Sequence, residues 1–358
     1  MLKNTRVYIV AVLLVVFLAS CVSASIAAQK GGASSGIVTN GEVIHLRLAH
    51  FFPATHPIET EVVSYWIKAV EQATGGRVRV TSYPGETLLR ASDVYEGVIN
   101  GIADIGLSCF SYNRGRFPVL EAFELPGITY KSSWVASKVA WEGVKILAPK
   151  EVGDTKLMMV FATGPGDLFT KVPVKTLKDL NGLEIRATGL SVKTLKSLGA
   201  VPIAMAQSET YQALAKGIVK GNLSPAEVLK GWKQGEVIKY LTKTPFLYNT
   251  LFYLTMNKGK WNSLPDDIKE AIMEVNERCF NDVAASLWDR QNEKAIRWAV
   301  DEMGIEIIEL TGEEKDKWLD KVRSVQEEYI SAVNDMGIDG QKVLNTVKQL
   351  GDKYNNQY

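Results

Sequence analysis

The stretch NGLEIRATGLSVKTLKSLGA, residues 181–200, changes its period halfway. Leu183, Ile185 and Ala187 share one face of an extended segment while Glu184 and Arg186 share the other, the two-residue repeat of a strand. After Gly189 the apolar residues Val192, Leu195 and Leu198 recur every third position, which predicts a helix. A strand running straight into a helix is the building unit of parallel α/β layers. Arg186 then stands at the carboxyl end of its strand beside a helix start. In open α/β sheets that edge binds ligands, and the helix adds unpaired N–H groups. A planar guanidinium there suits a bidentate carboxylate. Spacing alone leaves a second reading open, in which Arg186 is a surface residue or pairs with an internal acid.

The same alternation runs outward in both directions. EVIHLRLAHF reads as a strand and IETEVVSYWIKAVEQATGG as a helix closed by glycine; RVRVTSY, SDVYEGVINGI and ADIGLSCF follow as strand, helix and strand. WVASKVAWEGVKILAPK is a further helix and KLMMVFATG a further strand. The turn Gly164-Pro165-Gly166 suits a crossover between two lobes, after which LEIRATG, VPIAMA, a helix from Ser208 and a helix over EVLKGWKQGEVIKYL are expected. LYNTLFYLTMN carries the chain back. Residues from LPDDIKEAIMEV to RWAVDEM contain no breaker for about forty positions, so one helix about 60 Å long at 1.5 Å per residue is expected to brace both lobes. GIEIIEL and the helices after Thr311 are expected to finish the second lobe.

Composition narrows the function. Of 358 residues 46% are hydrophobic and 23% charged, enough for a core of two domains. The 41 Lys and Arg against 40 Asp and Glu leave a net charge of +1, no surplus for a nucleic-acid backbone or an anionic membrane. Lys3 and Arg6 precede an apolar run from Val7 to Ala19, an export signal too short to span a bilayer comfortably. The run ends in Leu18-Ala19-Ser20-Cys21, which resembles a lipobox and makes Cys21 the expected lipidation site; cleavage within SASIAAQ, discarding Cys21, is the other reading. Residues 1–21 are thus a signal peptide and 22–42, with GGASSG, a flexible tether. Cys109 and Cys279 sit in apolar patterns and are expected to be buried thiols rather than a disulfide.

Several stretches in order, LRLAHFFPATHP, YPGETLL, VYEGVINGIADIG, FELPG, LKDLNGLEIRATG, LGAVPIAMAQSETYQALAKGIVKG and FYLTMNKGKWNSLP, make residues 43–345 resemble the DctP-type solute-binding proteins of tripartite ATP-independent periplasmic (TRAP) transporters. The resemblance implies an α/β, two-lobed periplasmic binding protein fold, each lobe a mixed sheet flanked by helices, with a long bracing helix across both. Lobe I would comprise 43–163 and 252–290, lobe II 164–251 and 291–345, and 346–358 a C-terminal tail. It implies an organic acid held by cleft closure and delivered to membrane permease subunits, with no cofactor and no bond broken. The family's arginine in the LKGLKIR-type motif binds the ligand carboxylate, and Arg186 occupies that position.

Other pocket positions carry over less directly. Phe51 follows the first strand, where either pocket or core would take it. Ser108 and Cys109 end the ADIGLSC strand, Gln207 precedes the SETYQAL helix, and Asn249 would be a polar contact on the returning segment. The family's VDGxxNP stretch is VKGNLSP here, with Lys220 for the acid and Ser224 for the asparagine, and a basic group often found after the crossover is replaced by GPGD. One carboxylate anchor therefore remains, which favours a monocarboxylate with an apolar or aromatic body shaped by Glu227; Trp232 is expected to pack as a helix face. His45, His50 and His56 fit no metal-ligand spacing, and Tyr112, Arg114 and Arg116 read as a solvated loop. No P-loop, dinucleotide fingerprint or nucleophile elbow appears. An exported enzyme or a sensor on the same scaffold is the alternative; the enzyme would need a catalytic constellation that the sequence does not organise.

Overall fold

The computed structural model describes residues 43–358. The signal peptide, Cys21 and the tether expected over 1–42 lie outside the described residues. Strand β1 (Ile44–His50) buries Leu46 and Leu48 and exposes His45 and Arg47, the two-residue alternation of its sequence. It pairs in parallel with β2 (Val78–Tyr83) and β3 (Ile105–Cys109). Strand β4 (Thr155–Ala162) belongs to the same sheet but joins it through a returning strand, Leu251–Asn257, antiparallel to both β3 and β4.

The second sheet holds β5 (Asp167–Thr170), β6 (Glu184–Ala187), β7 (Val201–Ala204), β8 (Gly221–Ser224) and β9 (Tyr240–Thr242). With the returning strand as β10 and Glu306–Ile308 as β11, the orders are β2-β1-β3-β10-β4 and β11-β9-β5-β8-β6-β7. Each sheet is mixed and flanked by helices. Strand β5, not foreseen, lies directly after the glycine-proline turn and is antiparallel to β8 and β9.

The chain passes between the sheets at 163–166 and at 243–250, and the two passages are tied together. Thr163 N–H donates to Thr250 O at 3.0 Å, and Gly166 N–H to Tyr248 O at 3.2 Å. Gly164 is left-handed (φ 70°), and a Cβ there would lie 2.6 Å from Ser133 N, so only glycine lets the crossover lie against the start of helix Ser133–Leu147.

Three expectations for the helices change. EVLKGWKQGEVIKYL forms a four-residue helix Val228–Gly231, a 3-10 turn Gln234–Glu236 and β9; Lys233 takes the left-handed φ of 56°, and the buried Gln234 side chain accepts from Asn222 at 2.9 Å. The brace from 265 to 303 is not one helix. It comprises Asp266–Cys279, a π-helical turn Phe280–Ala284 and Leu287–Asp301. The widened turn shifts the helix phase, so that Cys279 and Phe280, then Leu287 and Trp288, all bury in the first lobe's core, while Ala299 reaches the second lobe's core.

A second helix, Gly312–Asp335, also joins the cores. Trp318 and Val322 pack in the second lobe, whereas Val325, Tyr329 and Val333 pack in the first. Helix Gly340–Gln357 takes the place of the expected tail: Val343, Leu344, Val347 and Leu350 form a 3.6-period stripe against helix Ser133–Leu147. The chain after Thr311 therefore adds Trp318 and Val322 to the second lobe and then returns to the first.

Candidate functional site

Between the two sheets lies a cavity walled by Phe51, Phe52, Trp232, Phe252 and Trp288 with Arg186 and Glu227 as its charged residues. Apolar walls with a few placed polar groups fit a small-molecule site. Arg186 is 2% exposed and Glu227 4%, so the cleft is closed over them.

Arg186 is positioned by sheet register. It stands opposite Asn222 of β8, and residues opposite one another share a face. Nη1 donates to Asn222 Oδ1 at 3.4 Å and to Ser224 Oγ at 3.3 Å, and Nε to Met205 O at 3.1 Å. Asn222 is held in turn by Gln234. Among the described residues no carboxylate pairs with Arg186, and its Nη2 donates to no protein group. An almost fully buried guanidinium without a counter-ion costs several kcal/mol, roughly what a paired anion restores. On the same cavity wall the Gln207 side-chain nitrogen, also buried, has no partner among the described residues. The wall thus presents donors to an anion.

Across the cleft, Gln207 N–H donates to Tyr112 Oη at 3.1 Å, and Phe51 and Trp232 face each other with ring centres 6.1 Å apart. Tyr112, expected in a solvated loop, lines the cavity. Burial pushes the Cys109 thiol well up, and the nearby Glu124 carboxyl adds to it; burial also raises Tyr248 to about 12. Both stay neutral, as suits a binding wall.

Of the residues singled out in the sequence, Phe51, Cys109, Arg186, Gln207, Ser224 and Glu227 line the cavity. Ser108 does not. Its Oγ donates to Ala91 O at 2.8 Å, because neighbours along a strand point to opposite faces and Cys109 takes the cavity side. Asn249 also lies elsewhere: its side chain donates to Phe123 O at 3.0 Å, bracing the second passage. Trp232, just beyond the short helix Val228–Gly231, packs against both lobes' cores and walls the cavity as well.

Asn222 and His56 were not singled out for ligand binding. The even spacing of Asn222 and Ser224 along β8 was the available signal for the first; nothing in sequence brings His56 to Glu227. His50 instead meets Glu59 at 2.7 Å, and His45 is exposed. Among the described residues no three His, Cys, Asp or Glu side chains converge as metal ligands. Cys109 and Cys279 are both free and buried.

Residues 48–332 match the family described as bacterial extracellular solute-binding protein, family 7 (DctP). A TRAP periplasmic solute-binding protein from Desulfovibrio salexigens, solved as an open complex, is 37% identical with a TM-score of 0.76, covering 88% of this chain and 98% of that one. A marine-metagenome TRAP solute-binding protein specific for aromatic acid ligands, in complex with metahydroxyphenylacetate, is 31% identical with a TM-score of 0.82, covering 87% and 99%. The C4-dicarboxylate-binding periplasmic protein DctP of Rhodobacter capsulatus is 28% identical over 268 residues, 74% of this chain and 80% of its own. A guanidinium without a carboxylate partner in a cleft between two mixed sheets, and a family match over most of its length, make this chain a member of the DctP family of TRAP solute-binding proteins, receptors rather than enzymes.

Proposed function

We propose that the chain captures an aromatic monocarboxylate and delivers it to TRAP permease subunits from the periplasmic side of the membrane, to which diacylated Cys21 tethers it. The two lobes close on the acid, and the ligand shifts the open-to-closed population without breaking a bond. The buried guanidinium of Arg186, with no carboxylate of its own among the described residues, carries this reading. The aromatic walls supply the preference for a ring, and the aromatic acid in the marine relative agrees with it. Among the described residues Arg186 is the one basic side chain on the cavity wall. A second ligand carboxylate would lack a cation and meet Glu227 instead, which disfavours the dicarboxylates named for the Rhodobacter relative.

Thermal shift over benzoates, phenylacetates and C4-dicarboxylates tests the reading, since a ligand of the native state raises apparent stability. Aromatic monocarboxylates are expected to raise the melting temperature. A shift with succinate or malate and none with aromatic acids would overturn the choice of ligand. For the tether, Cys21→Ser is expected to move the protein from the membrane fraction to the soluble periplasm.

A further inference from the structure

The cavity has a second polar end. The Oε1 atom of Glu227 lies 2.8 Å from His56 Nε2, but the angle falls outside hydrogen-bond geometry, and neither atom has a hydrogen-bond partner among the described residues. His56 Nδ1 accepts the Ile58 N–H at 3.1 Å. Its neutral ring therefore carries the proton on Nε2, on the Glu227 side. Glu227 Oε2 accepts from no protein donor among the described residues. The backbone is shaped around this carboxyl group. Glu227 N–H donates to Asn292 Oδ1 at 2.8 Å, and a Cβ on Gly231 would sit 1.7 Å from Oε1.

A buried carboxylate that no donor among the described residues satisfies has acceptor capacity to spare, and leaving it unmet is costly. We infer that the ligand is bifunctional: its carboxylate goes to Arg186, and a hydrogen-bond donor on its body, a hydroxyl or an amino group, is received by Glu227, which His56 orients from the opposite lobe. Glu227 is then a specificity residue that touches ligand, and His56 a positioning residue. Because the pair spans the cleft, the donor is read only as the lobes close. The inference rests on the carboxylate-binding reading above and narrows its substrate class.

The test is calorimetric, on the mature protein, with benzoate and phenylacetate against their ring-hydroxylated and ring-aminated analogues. At least one donor-bearing acid is expected to bind roughly tenfold to hundredfold more tightly than its unsubstituted parent, the range for a hydrogen bond to a charged group; the hydroxyl and amino arms show which donor is used. Glu227→Met is expected to bring that ratio close to one. His56→Phe is expected to reduce the same ratio, which a purely structural loss would not change. If unsubstituted acids bind the parent protein as well as every donor-bearing analogue, the inference falls and the carboxylate reading stands. If no aromatic acid of either kind binds, both fall. The comparison on the parent protein decides even if a variant does not fold.

Discussion

Arg186 owes its place to two periodicities, the alternation that turns it away from Ile185 and the β6–β8 register that sets it against Asn222. The first was legible in LEIRATG; the second needed the pairing of strands far apart in sequence. The same limit explains Ser108 and Cys109, adjacent residues of one strand that were both aimed at the cleft although the pleat admits one. Replacing Arg186 by Ala is expected to weaken binding at least a hundredfold in calorimetry, the scale for breaking a buried charge-assisted pair, and Lys should restore little because it lacks the planar fork. A variant binding as well as the parent would remove Arg186 from the site. Glu124 makes a separate prediction. Burial raises its carboxyl from the usual 4.5 to about 8 even though Leu251 N–H donates to it at 2.8 Å, so the folded state holds a proton that the unfolded chain releases. Stability should therefore fall as pH rises from about 4.5 through about 8, and Glu124→Gln should flatten that part of a melting-temperature profile.

Among the elements, the alternating strands and helices of the first lobe, β1 to β4 and helix Ser133–Leu147, were legible in the sequence, and misreadings fell where tertiary contacts overrule local pattern. Residues 227–241 carry helix-like apolar spacing, but the burial of Gln234 against Asn222 and the left-handed Lys233 break it. Beyond Pro265 the brace has no Pro or Gly, so nothing in its composition marks the π turn at Phe280–Ala284; the break serves packing in the first lobe's core. Gly164 was legible as a crossover, though its contact with helix Ser133–Leu147 was not. Gly164→Ala combines a left-handed φ with a clash at Ser133 and should destabilise by roughly 1–3 kcal/mol, seen as a lower urea midpoint. An unchanged midpoint would show that the crossover relaxes at little cost.

For the whole molecule, two lobes were legible because strand and helix patterns repeat on either side of the glycine-proline turn, while the cleft between them followed from the family resemblance. How the lobes are joined was not. Beyond the two tied passages, the brace and helix Gly312–Asp335 each put side chains into both cores, so closure must bend these connections rather than separate the lobes freely. Trp232 and Trp288 both wall the cavity, and ligand titration should change tryptophan emission, with Trp232→Phe removing much of the change. Scattering should show a smaller radius of gyration with ligand than without. An identical radius in both conditions would mean that closure does not depend on ligand.

The covering of Arg186 and Glu227 has a kinetic corollary. A molecule enclosed by both lobes has no way out through a standing opening, so departure waits on the parting of the aromatic rings and of the Tyr112–Gln207 contact. Acids of quite different affinity should then leave at rates capped by one common opening step, and stopped-flow displacement should find a shared ceiling on dissociation as weaker ligands are tried.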